Sequence, residues 1–513
     1  MQGISSTFET LATTRNESAA GVLIDALSDA DQGTRELALA ALLSRTNDDS
    51  PARLLANWDK IQPQDLVHIR GKRNWISKAV VQSLKSHDDS LGQTIEVAKV
   101  LGINEAIPDL IQLAESCANH SIRQQASLAV TTLVAPLGRD ARNDHPQGTV
   151  RDPILARLSD SVQRFSMHRN ALLIEAFLLT ATWGDSALRQ IINDGGPMLD
   201  LICKSLAQSQ TSGVIELLAG FIHRKSLPPR IMEQMRSRSD AAFRDELLRC
   251  VGTDPSQKVI RNLRDMKMPQ SCRGGETLIC EVAPDRRAAI VHLYIAANDN
   301  NLETLHLITA VVHQGGPGCV TAAALGLARC GIPTCELWMQ AAVLIADGDA
   351  EAIASNENAK LLNDLIELLD HDEPALVRGI QRVLSPLHTD AILPQFETLR
   401  LRSRRRLGRV VMMVDPNAVE RVRDALRHPV LTRRLQAIAM ADALAIVDLL
   451  PDSFTRISKE DHQEARMKAA AAMADARGNE TLKLLQDMVQ MPESPVRDAA
   501  VAALQQRQSA RSR

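Results

Sequence analysis

The chain has 513 residues, of which 45% are hydrophobic but only 2% aromatic, with one tyrosine and four tryptophans. Its apolar material is therefore mostly Ala, Leu, Ile and Val. A net charge of −3 removes any global electrostatic attraction to nucleic acid or to an acidic membrane. A length this great implies several domains, or an elongated array that grows by repetition instead of enlarging one core.

In chain order, residues to about Ser18 are polar and poorly periodic, after which Val22, Leu23, Ala26 and Leu27 begin a helical stripe. A turn at 29–31 leads into a second helix over 34–42. Residues 91–133 form the clearest unit. A first helix ends at Leu101 and breaks at Gly102, a residue that tolerates the left-handed conformation after a helix terminus. Asn104 is placed to cap the next helix, where Pro108 falls in the first turn and Ile107, Leu110 and Ile111 share a face. The spacing Ser121-x-x-Gln124 reads as a capping box for a third helix, whose stripe is Ile122, Ala126, Ala129, Val130 and Leu133. One such pair cannot bury its own stripe, so neighbours are required.

From Pro136 to Asp152 no apolar stripe is visible, and a loop or linker is predicted. The helix, glycine turn, helix grammar returns at 170–192. The Gly-Gly-Pro turns at 195–197 and 315–317 each end one helix and start the next. Residues 268–286, with Pro269, Gly274, Gly275 and Pro284, form a second interruption in which 277–282 has the composition of a short strand. The organisation expected is repeats over 1–135, a loop or linker over 136–152, degenerate helical repeats over 153–268, an irregular break over 269–286, repeats over 287–505 and a flexible basic tail over 506–513.

The stretches 34–42 and 496–504 are near copies, each an arginine followed by an alanine-rich apolar run. Between them the same opening recurs at Arg123, Arg378, Arg433 and Arg466. The arginines at 433, 466 and 497 lie 33 and 31 residues apart, the length of two short helices and two turns. These features resemble the HEAT-repeat family, particularly its short bacterial form, over 20–45, 91–134 and 360–505. Tetratricopeptide and ankyrin signatures are missing. The resemblance implies an all-α fold, an α-solenoid of stacked antiparallel helix pairs in a HEAT/ARM-like superhelix. It implies a non-catalytic scaffold or adaptor that binds a protein through its concave surface. Within that family some members excise alkylated bases from DNA, and others act as bilin lyases or lyase-like chaperones.

The sharpest charge feature is Arg400, Arg402, Arg404, Arg405, Arg406 and Arg409, six arginines in ten positions with no acid between Thr398 and Val414. It is a candidate surface for an acidic protein partner or for phosphates. The plain alternative is a solvated helix face neutralised by the nine acids of 347–373. The lack of aromatic residues nearby disfavours nucleic acid. The repeated Arg35, Arg123, Arg378, Arg433, Arg466 and Arg497 read as a structural ladder, since sites rarely recur in every unit of an array.

Cys272, Cys280, Cys330 and Cys335, with His292, His306 and His313 between them, lack zinc-knuckle spacing, so ordinary reduced thiols are expected. Gly315, Gly316 and Gly318 lack the lysine and hydroxyl of a phosphate loop. No nucleophile, metalloprotease or dinucleotide motif is present, so no catalytic residue, cofactor or metal is assigned. The most apolar run, 171–183, is interrupted by Glu175 and too short to span a bilayer. The opening residues lack the basic and apolar regions of a secretory signal, and a cytoplasmic location is the expectation.

Overall fold

The structure is a computed structural model and describes the chain except residues 1, 29–30, 46–48, 87–89, 143–147, 299, 317, 348–349, 395–400 and 512–513, together with the side chains of 2–4, 148–149, 346–347, 401–403, 406 and 510–511. Most of the described residues are helical and none of them forms a strand, which makes the fold all-α. No helix among those residues is long and apolar enough to cross a membrane. Successive antiparallel helix pairs stack on one another, as in an α-solenoid. Two compact units result, one of residues 1–250 with 269–271, the other of 251–268 with 272–513.

In the first unit the helices Leu91–Leu101, His120–Arg142, Ala171–Thr180 and Ser212–Gly220 pack side by side as one layer. Ile107–Ser116 and Gly148–Gln163 cover them from the other side. Ala126, Ala129, Val130 and Leu133 are all buried, as the stripe requires. Gly102 takes φ 68° at the C-cap, and Pro108 sits in the first turn of its helix. Asn119, not Ser121, caps the 120–142 helix: its Oδ1 accepts from Ser121 N at 2.9 Å. The helix starts at His120, so Ser121 and Gln124 fall inside it, too late to form a box.

Several expectations are corrected here. Residues 2–13 are helical, although polar. The predicted loop over 136–152 is helical on both sides of residues 143–147, which lie outside the described residues. The first helix runs through Pro136 because Leu137 and Gly138 are buried beyond it. At its end Arg142 donates to the carbonyls of Leu179 and Ala181 at 3.0 and 3.2 Å. Those contacts offset the cost of a proline inside a helix, roughly 3 kcal/mol. Residues 276–281 form a helix rather than a strand, and the predicted tail is helical to Arg511. Arg507 is 5% exposed and donates to Gly478 O at 2.7 Å, which holds that last helix down.

The second unit continues the pattern. Arg287–Ala297, Cys319–Arg329 and Pro374–Val383 pack in sequence, while Cys335–Asp347 packs on Leu401–Val414. From there Leu431–Ala443, Gln463–Ala472 and Pro495–Arg511 follow side by side, backed by Ala418–Leu426, Pro451–Glu460 and Asn479–Val489.

The arginine ladder takes a different form from the one predicted. Arg35 is buried and pairs with Asp65 at 2.7 Å. Arg466 is half-buried and donates to Ser458 O at 2.9 Å. Arg123 is half-buried, Arg378 and Arg433 are exposed, and Arg497 lies 3.8 Å from the exposed Glu493. Other arginines join the repeats, each donating to carbonyls at the end of a neighbouring helix or in the turn just beyond it. Arg45 reaches Asn16 O (2.9 Å), Arg238 reaches Leu206 O (2.8 Å) and Ser209 O (3.0 Å), and Arg456 reaches Leu426 O (2.6 Å). These contacts span 29 to 32 residues, one repeat. Helices of one layer run parallel, so their last turns lie together. Arg456 reaches Leu426 from the middle of its own helix, whereas Arg238, at the C-cap of 229–237, satisfies orphan carbonyls at the end of 196–208 and sits at the negative end of both dipoles. Arg382 does the same for Leu327 O and Cys330 O at 2.8 and 2.9 Å, across a longer insertion. In the unit of Arg433 the anchored residue is its neighbour Arg434, which grips Asp461 with two bonds of 2.7 and 2.6 Å.

Candidate functional site

A concave groove lies on the layer formed by 401–414, 431–443, 463–472 and 495–511. Two adjoining cavities of about 780 and 600 Å³ share Arg405, Asp442, Ala472 and Asp475 in their walls. Successive repeats supply equivalent wall positions. Met-Ala-Asp-Ala occurs at both 440–443 and 473–476, placing Asp442 and Asp475 one repeat apart. That duplicated tetrapeptide is the groove's signal in the sequence, and it lies outside the recurring arginine openings.

Gly408 allows the walls to close. A Cβ there would lie 2.5 Å from Ala443 O, so only glycine lets the 401–414 helix approach the 431–443 helix this closely. The approach brings Arg405 to Asp475, with Asp442 3.8 Å from the same guanidinium. Gln506 donates to the second oxygen of Asp475 at 2.9 Å. Burial holds the Asp442 carboxyl above its ordinary range, Arg405 opposes this, and the nearby Asp475 adds to it. Asp448 behaves oppositely. Burial opposes its ionisation, but Arg477 N at 2.7 Å and the Thr481 hydroxyl at 2.8 Å donate to it and bring it below the carboxylate range.

Of the six cluster arginines, Arg404, Arg405 and Arg409 line this groove. Arg400 and the side chains of Arg402 and Arg406 lie outside the described residues. The acids that hold Arg405 come from the following repeats and not from 347–373, the source named in the alternative reading. Arg477 and Arg507, outside the cluster in sequence, complete the wall of the larger cavity. Among the described residues lining the two cavities there is no Ser, Thr, Cys, His or Tyr. What the groove offers is fixed guanidinium groups, carboxylates and short apolar side chains, the chemistry of ionic recognition.

The cysteine and histidine positions do not converge. Cys272 and Cys330 are buried, Cys280 is exposed, and Cys335 donates to Pro386 O at 3.4 Å. His292 is buried and donates to Thr253 O at 3.0 Å, while His306 lies 3.4 Å from Glu276 and His313 is exposed. Gly315 and Gly316 form a turn, with the Cβ position of Gly316 only 2.7 Å from Pro284 O.

The fold and groove define a helical-repeat protein of the solenoid class. No protein-family model matches the chain, and no curated protein matches it. Among solved structures it is similar to She4p, with 10% identity, a TM-score of 0.31 and coverage of 98% of this chain and 86% of that one. It is also similar to a chain of the AP-3 complex in an intermediate open conformation, with 11% identity, a TM-score of 0.26 and coverage of 98% and 93%. Kap121p bound to Nup53p gives 11% identity and a TM-score of 0.24, over 99% of this chain but 60% of Kap121p.

Proposed function

We propose that the chain is a non-catalytic helical-repeat scaffold that binds a protein partner along the grooved layer of its second unit. The observation that carries this reading is the pair of adjoining cavities built from equivalent positions of successive repeats. A surface that continues from repeat to repeat is suited to an extended ligand. Its walls offer ionic contacts with apolar patches of Ala, Leu and Val between them, the mixture found at non-obligate protein interfaces.

A photo-crosslinking residue placed at Ala471, exposed in the groove, is expected to form protein adducts in the producing cell. The same residue at Gln486, exposed on the covering helix 479–489, is expected to form none. Adducts from 486 alone, or equal adducts from both positions, would overturn the reading.

A further inference from the structure

The charges lining the 780 Å³ cavity are unequally committed. Asp442 and Asp475 both face Arg405, and Asp448 accepts from Arg477 N and Thr481. Arg507 is buried on Gly478 O. Arg409 and Arg477 remain, exposed in the wall of the 780 Å³ cavity with no ion pair at their guanidinium groups among the described residues. The surplus charge of this cavity is therefore positive and divided between two points.

Those points are well separated. Arg409 lies on the 401–414 helix and Arg477 just beyond the 463–472 helix, with the 431–443 helix between them. Neighbouring packed helices lie about 8–10 Å apart, so the two backbones are separated by roughly 16–20 Å. A ligand carrying several carboxylates along an extended chain can address both points at once. An extended chain rising about 3.3 Å per residue covers that distance in about five or six residues.

We infer that the groove receives an extended acidic peptide segment of a partner protein, with separate carboxylates on Arg409 and Arg477. This rests on the scaffold reading and names the chemistry of its partner. A peptide fits better than a nucleic acid because Asp442, Asp448 and Asp475 stand in the same groove. They would repel a phosphate at every nucleotide, whereas a peptide can place uncharged residues opposite them. The walls also carry no aromatic residue on which a base could stack.

The test uses the full chain and a fluorescein-labelled decapeptide of alternating Glu and Ala, read by fluorescence anisotropy at low salt. Binding is expected, weakened at least about tenfold by Arg409→Glu with Arg477→Glu. Reversal of the exposed Arg427, at the C-cap of 418–426, is expected to leave affinity within about twofold. Both substituted side chains are exposed, and an unchanged circular dichroism melt verifies folding. Equal binding by the double variant, or tighter binding of a ten-nucleotide oligothymidylate, would overturn the inference. Absence of peptide binding would overturn it too, while the crosslinks from 471 would still decide the scaffold reading separately.

Discussion

Single side chains carry much of the contact between repeats. Arg238 is 3% exposed and bonds Leu206 O, Ser209 O and, at 2.7 Å, Asp240. Arg238→Ala leaves two carbonyls without their donor, while Asp240, 26% exposed, keeps Phe243 N, and a loss of about 2–3 kcal/mol is expected in urea denaturation. Arg264→Ala, 71% exposed at its side chain, is expected to stay within about 0.5 kcal/mol. His292 ties stability to pH. Burial lowers its pKa and Arg329 adds to this, while the Thr253 carbonyl and Asp254 oppose it. The folded state therefore binds the proton less readily than the unfolded chain. The neutral ring's contribution is complete above the unfolded value, near 6.5, and is lost as pH falls through the lower folded value. The melting temperature is expected to drop between pH 7.5 and 5, and His292→Asn is expected to flatten that dependence. The Cys250 thiol differs, pushed up to about 12 first by burial and then by Glu246.

At the scale of helices, close crossings depend on glycine. A Cβ at Gly138 would stand 1.7 Å from Leu179 O, and one at Gly408 2.5 Å from Ala443 O, both backbone atoms that cannot swing aside. Gly408→Ala is expected to cost about 1–3 kcal/mol in thermal denaturation, and Gly138→Ala more. Gly408→Ala should also weaken binding of the acidic decapeptide, because it moves the helix that carries Arg409. A rise in melting temperature for either variant would contradict the packing described. Some of this level was legible beforehand. Gly102, Pro108 and the stripe from Ala126 to Leu133 obey local rules of capping and periodicity, so sequence sufficed for them. Pro136 did not obey its local rule. The residues that keep its helix going, Leu179 and Ala181 under Arg142, lie 37 and 39 residues from that arginine.

For the whole molecule, repeats that touch mainly their neighbours unfold locally rather than as one body. In hydrogen exchange on the full chain, Arg238→Ala is expected to raise exchange over 196–250 and leave 431–489 unchanged. A uniform rise would show tighter cooperativity than a repeat array permits. The 3.6-residue periodicity, the turn residues and the thirty-residue recurrence determined by themselves that the chain is all-α and repetitive, because each is set within one or two helices. Sequence also marked Arg404, Arg405 and Arg409 by sheer charge density. It did not reveal that Asp442 and Asp475 would neutralise Arg405, or that Arg477 would stand in the same wall. Those outcomes depend on which face each helix turns toward the next repeat and how closely the backbones approach at Gly408. Only tertiary packing decides that, because it brings together groups as much as 70 residues apart.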